Sequence, residues 1–258
     1  MRIALMSDIH GNAIALDAVL DDLRHVGAPD AVVIVGDLAA IGHDPVGVLQ
    51  RLADLPNTSA VRGNTERYTT SADRPPPTLE QAAADPAILP ALVSVAHSFA
   101  WTQGAVTAAG WFEWLRALPL DLRLALPDGS ALLAVHASPG RDDGAGIHPA
   151  LSPDELRQQA AGADADVVCV GHTHWPMSVD IDGTRVVNLG SVSNGFPPDL
   201  RASYVVIDAA STGVSVEHRR VDYDRAAVVA ELRRLRHPAA DYISGLMRGG
   251  NTPPWRWP

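Results

Sequence analysis

Lysine is missing altogether from this 258-residue chain, so all twenty of its basic residues are arginine. Without a lysine, neither a Walker-type phosphate loop nor a Schiff-base enzyme is available. Cysteine is almost as scarce. The one residue, Cys169, sits in the apolar run Val167-Val168-Cys169-Val170, which excludes an internal disulfide and points to a buried core thiol, not a nucleophile. No apolar stretch approaches a membrane span, and the opening run Arg2–Met6 is too short for a signal peptide before it meets Ser7-Asp8. A cytoplasmic protein with no membrane partner is the expectation.

What is present is ordinary for a folded protein. Apolar residues make up 47% and charged residues 19% of a chain long enough for one large domain or two small ones without disulfide support. The formal net charge is −10, a field that disfavours long nucleic acids.

Short apolar runs alternate with amphipathic stretches at the start: Arg2–Met6, Ala13–Val26, Ala31–Val35, Val46–Leu55 and Ser59–Val61. This reads as strand-helix-strand with a covered central sheet, Asn12 capping the first helix. From Thr65 to about Pro86 the pattern lapses into a segment rich in Pro, Thr, Ala and Asp, expected as a loop or mobile flap. Helices are expected over 87–102 and 108–118, with Trp101, Trp111, Phe112 and Trp114 packing against the sheet. The second half is strand-rich, with hairpins around Pro127-Asp128-Gly129 and Asp182-Gly183, further strands near 167–170, 204–208 and 214–219, and helices over 152–161 and 225–236. The tail 249–258 has no regular period. The pattern gives an α/β fold and a single domain over 1–258.

Residues of metal-ligand type stand directly after the apolar runs. Asp8 and His10 follow the first strand, Asp37 the second, Asn64 the third, His136 a later one, and His172 with His174 another. Ligands gather at the carboxyl ends of strands in such sheets, so these residues converge. Unpaired, they would be costly to bury, and metal ions satisfy them together.

Taken in order, Asp8-Ile9-His10, Gly36-Asp37, Gly63-Asn64, His136 and Gly171-His172-Thr173-His174 resemble the calcineurin-like metallophosphoesterase superfamily. Asn188-Leu189-Gly190-Ser191-Val192 and Ala202-Ser203-Tyr204 are similar to its small bacterial and archaeal phosphodiesterase branch, and the resemblance covers about residues 1–220. It implies a four-layer α/β/β/α sandwich of two mixed sheets; the segment 65–118 is expected as a helical lid or insertion over that scaffold. It also implies two divalent metal ions, one held by Asp8, His10 and His174, the other by Asn64, His136 and His172, with Asp37 bridging. A shared water of lowered pKa would then be the nucleophile. Manganese is the favoured metal, and iron, zinc, nickel or cobalt also suit mixed N/O ligation. Two such cations would add four positive charges and leave a net charge of −6, still acidic.

One position departs from the pattern. Many relatives carry a histidine after the Gly-Asn pair, whereas here Thr65 and Glu66 follow, and threonine is no general acid near neutral pH. Leaving groups that need little protonation are therefore expected: aryl or activated phosphodiesters and pyrophosphate-type bonds. His43 is a candidate replacement acid, with a surface-loop histidine as the alternative, and joins Asp37, Asn64 and His136 as a candidate catalytic residue. Glu66 is expected to orient a ligand or bound water, and Arg62 or Arg141 to clamp phosphate. His25, His97, His148, His218 and His237 show no matching spacing. The expected activity is hydrolysis of small phosphodiesters; a phosphomonoesterase and a non-catalytic metal-binding scaffold are the alternatives.

Overall fold

The structure, a computed structural model, describes residues 1–253; Trp255 and Trp257 of the tail lie outside the described residues. The first part folds as β1 (Arg2–Met6), α1 (Ala13–Val26), β2 (Ala31–Val35), α2 (Pro45–Ala53) and β3 (Thr58–Val61). Asn12 caps α1 by accepting the Ala15 N–H, and Asp44 caps α2 through Gly47. Four helices follow, α3 (Asn64–Thr70), α4 (Leu79–Ala84), α5 (Leu89–Ala108) and α6 (Phe112–Arg116). The remainder comprises β4 (Asp121–Ala125), β5 (Ala131–Val135), α7 (Pro153–Ala160), β6 (Val167–Val170), β7 (Met177–Ile181), β8 (Thr184–Asn188), β9 (Ala202–Ala210), β10 (Gly213–Val221), α8 (Arg225–Arg234) and α9 (Ala240–Met247).

The strands form two five-stranded mixed sheets, β10-β9-β1-β2-β3 and β4-β5-β6-β8-β7. Side-chain alternation along β1 shows how the layers are made. Ile3 and Leu5 join Val33, Val35, Cys169 and Val187 between the sheets, while Ala4 and Met6 pack with Leu16 and Val19 of α1 and Val48 of α2. On the far side, Leu133, Val135 and Val168 pack against Leu156 of α7. The result is the expected helix–sheet–sheet–helix sandwich. Cys169 lies fully buried in its centre, where burial pushes the thiol up to about 12.

Residues 65–86 are not the expected flap. Thr78 and Gln81 cap α4 reciprocally, and α3 is closed by Glu66, which reaches back to the Gly63 N–H. Neither helix has an apolar stripe, and α3 buries the polar groups Thr65, Glu66 and Thr69, so periodicity misses them. Helix α9 has no sequence expectation at all; it packs Ile243, Leu246 and Met247 on Val228 and Leu232 of α8. Trp111 packs on the core as expected, but Trp114 is exposed and stacks edge-on against Trp111, because α6 is a single turn that turns only Leu115 inward. No helix among the described residues is long and apolar enough to cross a membrane.

Candidate metal centre

Strands β1, β2 and β3 run parallel in one sheet, and β5 and β6 run parallel in the other, so their carboxyl ends meet at one edge of the sandwich. All seven expected residues stand there. His10, Asp37, Asn64, His172 and His174 line an open cleft of about 780 Å³, and fully buried Asp8 and His136 lie beneath it.

The four histidines share one arrangement. In each, one ring nitrogen is bonded to a backbone carbonyl: His10 Nδ1 to Ala40 at 3.1 Å, His136 Nδ1 to Val35 at 2.8 Å, His174 Nδ1 to Asn194 at 3.1 Å, and His172 Nε2 to Gly144 at 2.8 Å. A carbonyl only accepts, so each bond places a proton on that nitrogen, and in the neutral imidazole the other nitrogen then turns its lone pair inward. The inward atoms crowd together. His10 Nε2 and His174 Nε2 are 3.2 Å apart, and His174 Nε2 is 3.1 Å from Asp8 Oδ1, a buried oxygen that accepts no hydrogen bond. Lone pairs meeting a carboxylate oxygen repel unless a proton or a metal cation lies among them, and nitrogen and oxygen donors gathered in this way fit a divalent metal.

Among the described residues two clusters have ligand atoms close enough to share an ion: Asp8, His10 and His174, and Asp8, Asp37 and His136. The first is the expected trio. Asn64 Oδ1 lies 3.0 Å from His136 Nε2 and 3.2 Å from His172 Nδ1, extending the second group in the expected direction. Asp37 spans the two: Oδ2 is 3.7 Å from His10 Nε2 and Oδ1 is 3.4 Å from His136 Nε2. Although burial opposes it, His136 and His10 hold the Asp37 carboxyl well below the usual range, while Asp37 and Asp8 push His136 up to about 10 against its own burial. The carboxylates thus demand positive charge at this point.

The backbone is bent to build the centre. Asp8, His10, Asp37, His172 and His174 all have φ between 49° and 66°, the left-handed region that non-glycine residues seldom occupy. The motif glycines are explained by close approach: a Cβ on Gly63 would collide with Asp37 Oδ1, and one on Gly171 would sit 2.5 Å from Asp8 Oδ2. Glu66 stabilises the Asp37 turn, its buried carboxylate accepting the N–H groups of Asp37, Leu38 and Gly63, each at 2.8 Å. It therefore positions candidate ligand Asp37 through the backbone of its turn. Burial and the Asp37 charge push it up to about 7, opposed by those donors.

Thr65 has a comparable role. Its N–H and hydroxyl both donate to Asp37 Oδ1, at 3.0 and 2.9 Å. Thr65→Val deletes one donor at nearly constant volume and is expected to weaken metal binding by about 10- to 100-fold, with Thr65→Ser restoring it, as read by metal titration calorimetry.

His43 fulfils neither expectation. It is buried and does not line the cleft; its Nδ1 has no partner, and it lies close enough to His237 and Glu231 for their charges to interact. Arg62 is tied to Asp142 at 2.9 Å, and Arg141 is exposed; neither lines the cleft. Asn194, whose carbonyl fixes His174, had no distinguishing sequence signal beyond its place just after Ser191-Val192.

His237 is buried with Nε2 unpartnered, and burial together with His43 pushes it down to about 4. The unfolded imidazole titrates near 6.5, so between pH 6.5 and 4 the unfolded chain binds the extra proton and stability falls as pH falls. Between pH 7 and 5 this group is expected to cost about 2 kcal/mol, seen as a drop in the urea midpoint that His237→Phe largely removes.

The sequence model of the calcineurin-like phosphoesterase superfamily domain matches residues 1–212. An uncharacterized protein of Methanocaldococcus jannaschii is 26% identical over 251 residues, spanning 92% of this chain and 93% of its own. Among solved structures, a metallophosphoesterase from Sphaerobacter thermophilus is 24% identical with a TM-score of 0.73, over 97% of this chain and 100% of that one. A hypothetical protein from Pyrococcus horikoshii is 20% identical with a TM-score of 0.78, over 97% and 99%. These two likenesses are of fold.

Proposed function

The chain belongs to the calcineurin-like phosphoesterase superfamily, and from that premise we propose that it is a metal-dependent hydrolase of small phosphodiesters, with Asp8, His10, Asp37, Asn64, His136, His172 and His174 holding two divalent ions. The observation that carries this is the uniform anchoring of four histidines by backbone carbonyls, which points every free lone pair at the same space. Bound divalent ions supply positive charge against the phosphate oxygens and acidify a coordinated water. The chain's own residues orient the site. Thr65 and Glu66 fix Asp37 between the two groups, Asn194 and Gly144 set two imidazoles, and buried Asp8 and His136 form a dry floor.

A diester is favoured over a monoester by charge. No arginine is among the described residues lining the cleft, and Asp241 lines it, so a singly charged phosphate is better matched than a doubly charged one. The Thr65 hydroxyl is spent on Asp37, leaving no proton donor at the position after Asn64. Manganese is the proposed metal, and helices α3 to α6 the proposed wall governing substrate choice. Manganese-dependent turnover of bis-(p-nitrophenyl) phosphate well above that of the mono-ester is the expected result, with rates across aryl diesters falling steeply as leaving-group pKa rises. A preference for the mono-ester would replace this reading with the phosphomonoesterase, and intact metal binding with no turnover of either would leave the scaffold.

A further inference from the structure

Beside the metal cleft lies a second cavity of about 470 Å³, walled by Tyr68 of α3, the Pro75-Pro76 turn, and Val95 and Phe99 of α5. Ile41, Asn64, Thr65 and Tyr242 line both spaces, so the cavity opens directly beside candidate ligand Asn64. No charged side chain is among the described residues lining it. Tyr68 and Phe99 are locked edge to face at 5.7 Å, and the Tyr68 hydroxyl is held by Asp143, so the walls are fixed before any ligand arrives. Preformed, mostly apolar and joined to a polar reaction centre, it has the character of a small-molecule pocket.

Resting on the phosphodiesterase reading, we infer that this cavity takes an uncharged apolar ester group of the substrate, aryl or alkyl, while the phosphate sits over Asn64 and Asp37. The walls offer no counter-charge for a second phosphate or a carboxylate, and an apolar group gains by leaving water there. The neighbouring cleft, with Asp241 and Asn251, is the wetter of the two spaces and suits the other ester arm.

The test uses manganese-loaded protein and p-nitrophenyl phosphodiesters that share one leaving group and differ in the second ester, methyl against hexyl or phenyl. The hexyl and phenyl compounds are expected to exceed the methyl compound in kcat/KM by on the order of 10- to 100-fold, mostly through KM. Val95→Asp, which places a charge in the cavity away from the metal residues, is expected to erase that preference by bringing the hexyl and phenyl values down toward the methyl one. Calorimetry supplies a readout independent of hydrolysis, with hexylphosphonate expected to bind more tightly than methylphosphonate by a similar factor, and Val95→Asp again levelling the two. Equal methyl and hexyl values in both assays, or a preference that survives Val95→Asp, overturn the assignment of the cavity while leaving the diesterase intact. Absent turnover with phosphonate discrimination retained overturns the diesterase and leaves the cavity as a ligand site. Whether hexyl or phenyl is preferred separates a chain-like ester from a planar one.

Discussion

Asp37→Asn is expected to lower kcat/KM for an aryl phosphodiester by on the order of a thousand-fold or more, the largest effect of any single substitution in the centre. The change keeps the shape of the side chain and removes its charge. Asp37 is the residue whose two oxygens face different groups, Oδ2 toward His10 and Oδ1 toward His136, and both Thr65 donors converge on Oδ1. An asparagine oriented to keep the Thr65 bonds would turn its amide NH₂ toward His10, presenting a donor where a cation needs a lone pair. Elemental analysis of the variant should show metal content reduced, and circular dichroism should show the fold kept. Activity within tenfold of the parent at full metal content would mean that Asp37 does not join the two groups.

Glu66→Ala is expected to act on stability first. It strips three buried backbone N–H groups of their acceptor, at about 1–3 kcal/mol for each donor left unpaired. Removing the buried carboxylate also removes its own desolvation cost, so the net loss is placed at about 3–5 kcal/mol. For a domain of this size that is on the order of 10 °C in melting temperature. Glu66→Gln retains one oxygen for the Asp37 and Gly63 donors and spoils only the Leu38 contact, so its loss should be under half as large. Because the same carboxylate holds the Asp37 turn at φ 57°, both variants should also bind metal more weakly. A Glu66→Ala protein that melts with the parent would show that the turn needs no such support.

Most of the architecture and the identity of the site residues were legible. Strand-forming runs such as Val32–Val35 and Val167–Val170 are apolar throughout because both faces are covered, and each runs into a polar ligand-type residue within a few positions. Periodicity failed where a helix buries polar groups. Helix α3 is the clearest case: Thr65 and Glu66 read as the start of a loop, and they are helical because Glu66 closes the turn and both grip Asp37, a partner 28 or 29 positions away. Glu66 was read as orienting a ligand or bound water, but nothing local reveals which backbone donors a buried carboxylate will accept. His43 was misjudged for a related reason: its neighbours Glu231 and His237 lie nearly two hundred residues further along.

Residue order was enough for the α/β class and the seven converging side chains, because strand period and the habit of ligands to follow strand ends are local properties of the chain, and the motifs' resemblance added the layered arrangement and the family. The tautomer of each imidazole, the two grips on Asp37 and the uncharged cavity beside Asn64 were decided in three dimensions. Each depends on a carbonyl, a donor or a wall contributed by a distant segment, and a hydrogen bond or a pocket exists only once those segments are packed to within a few ångströms.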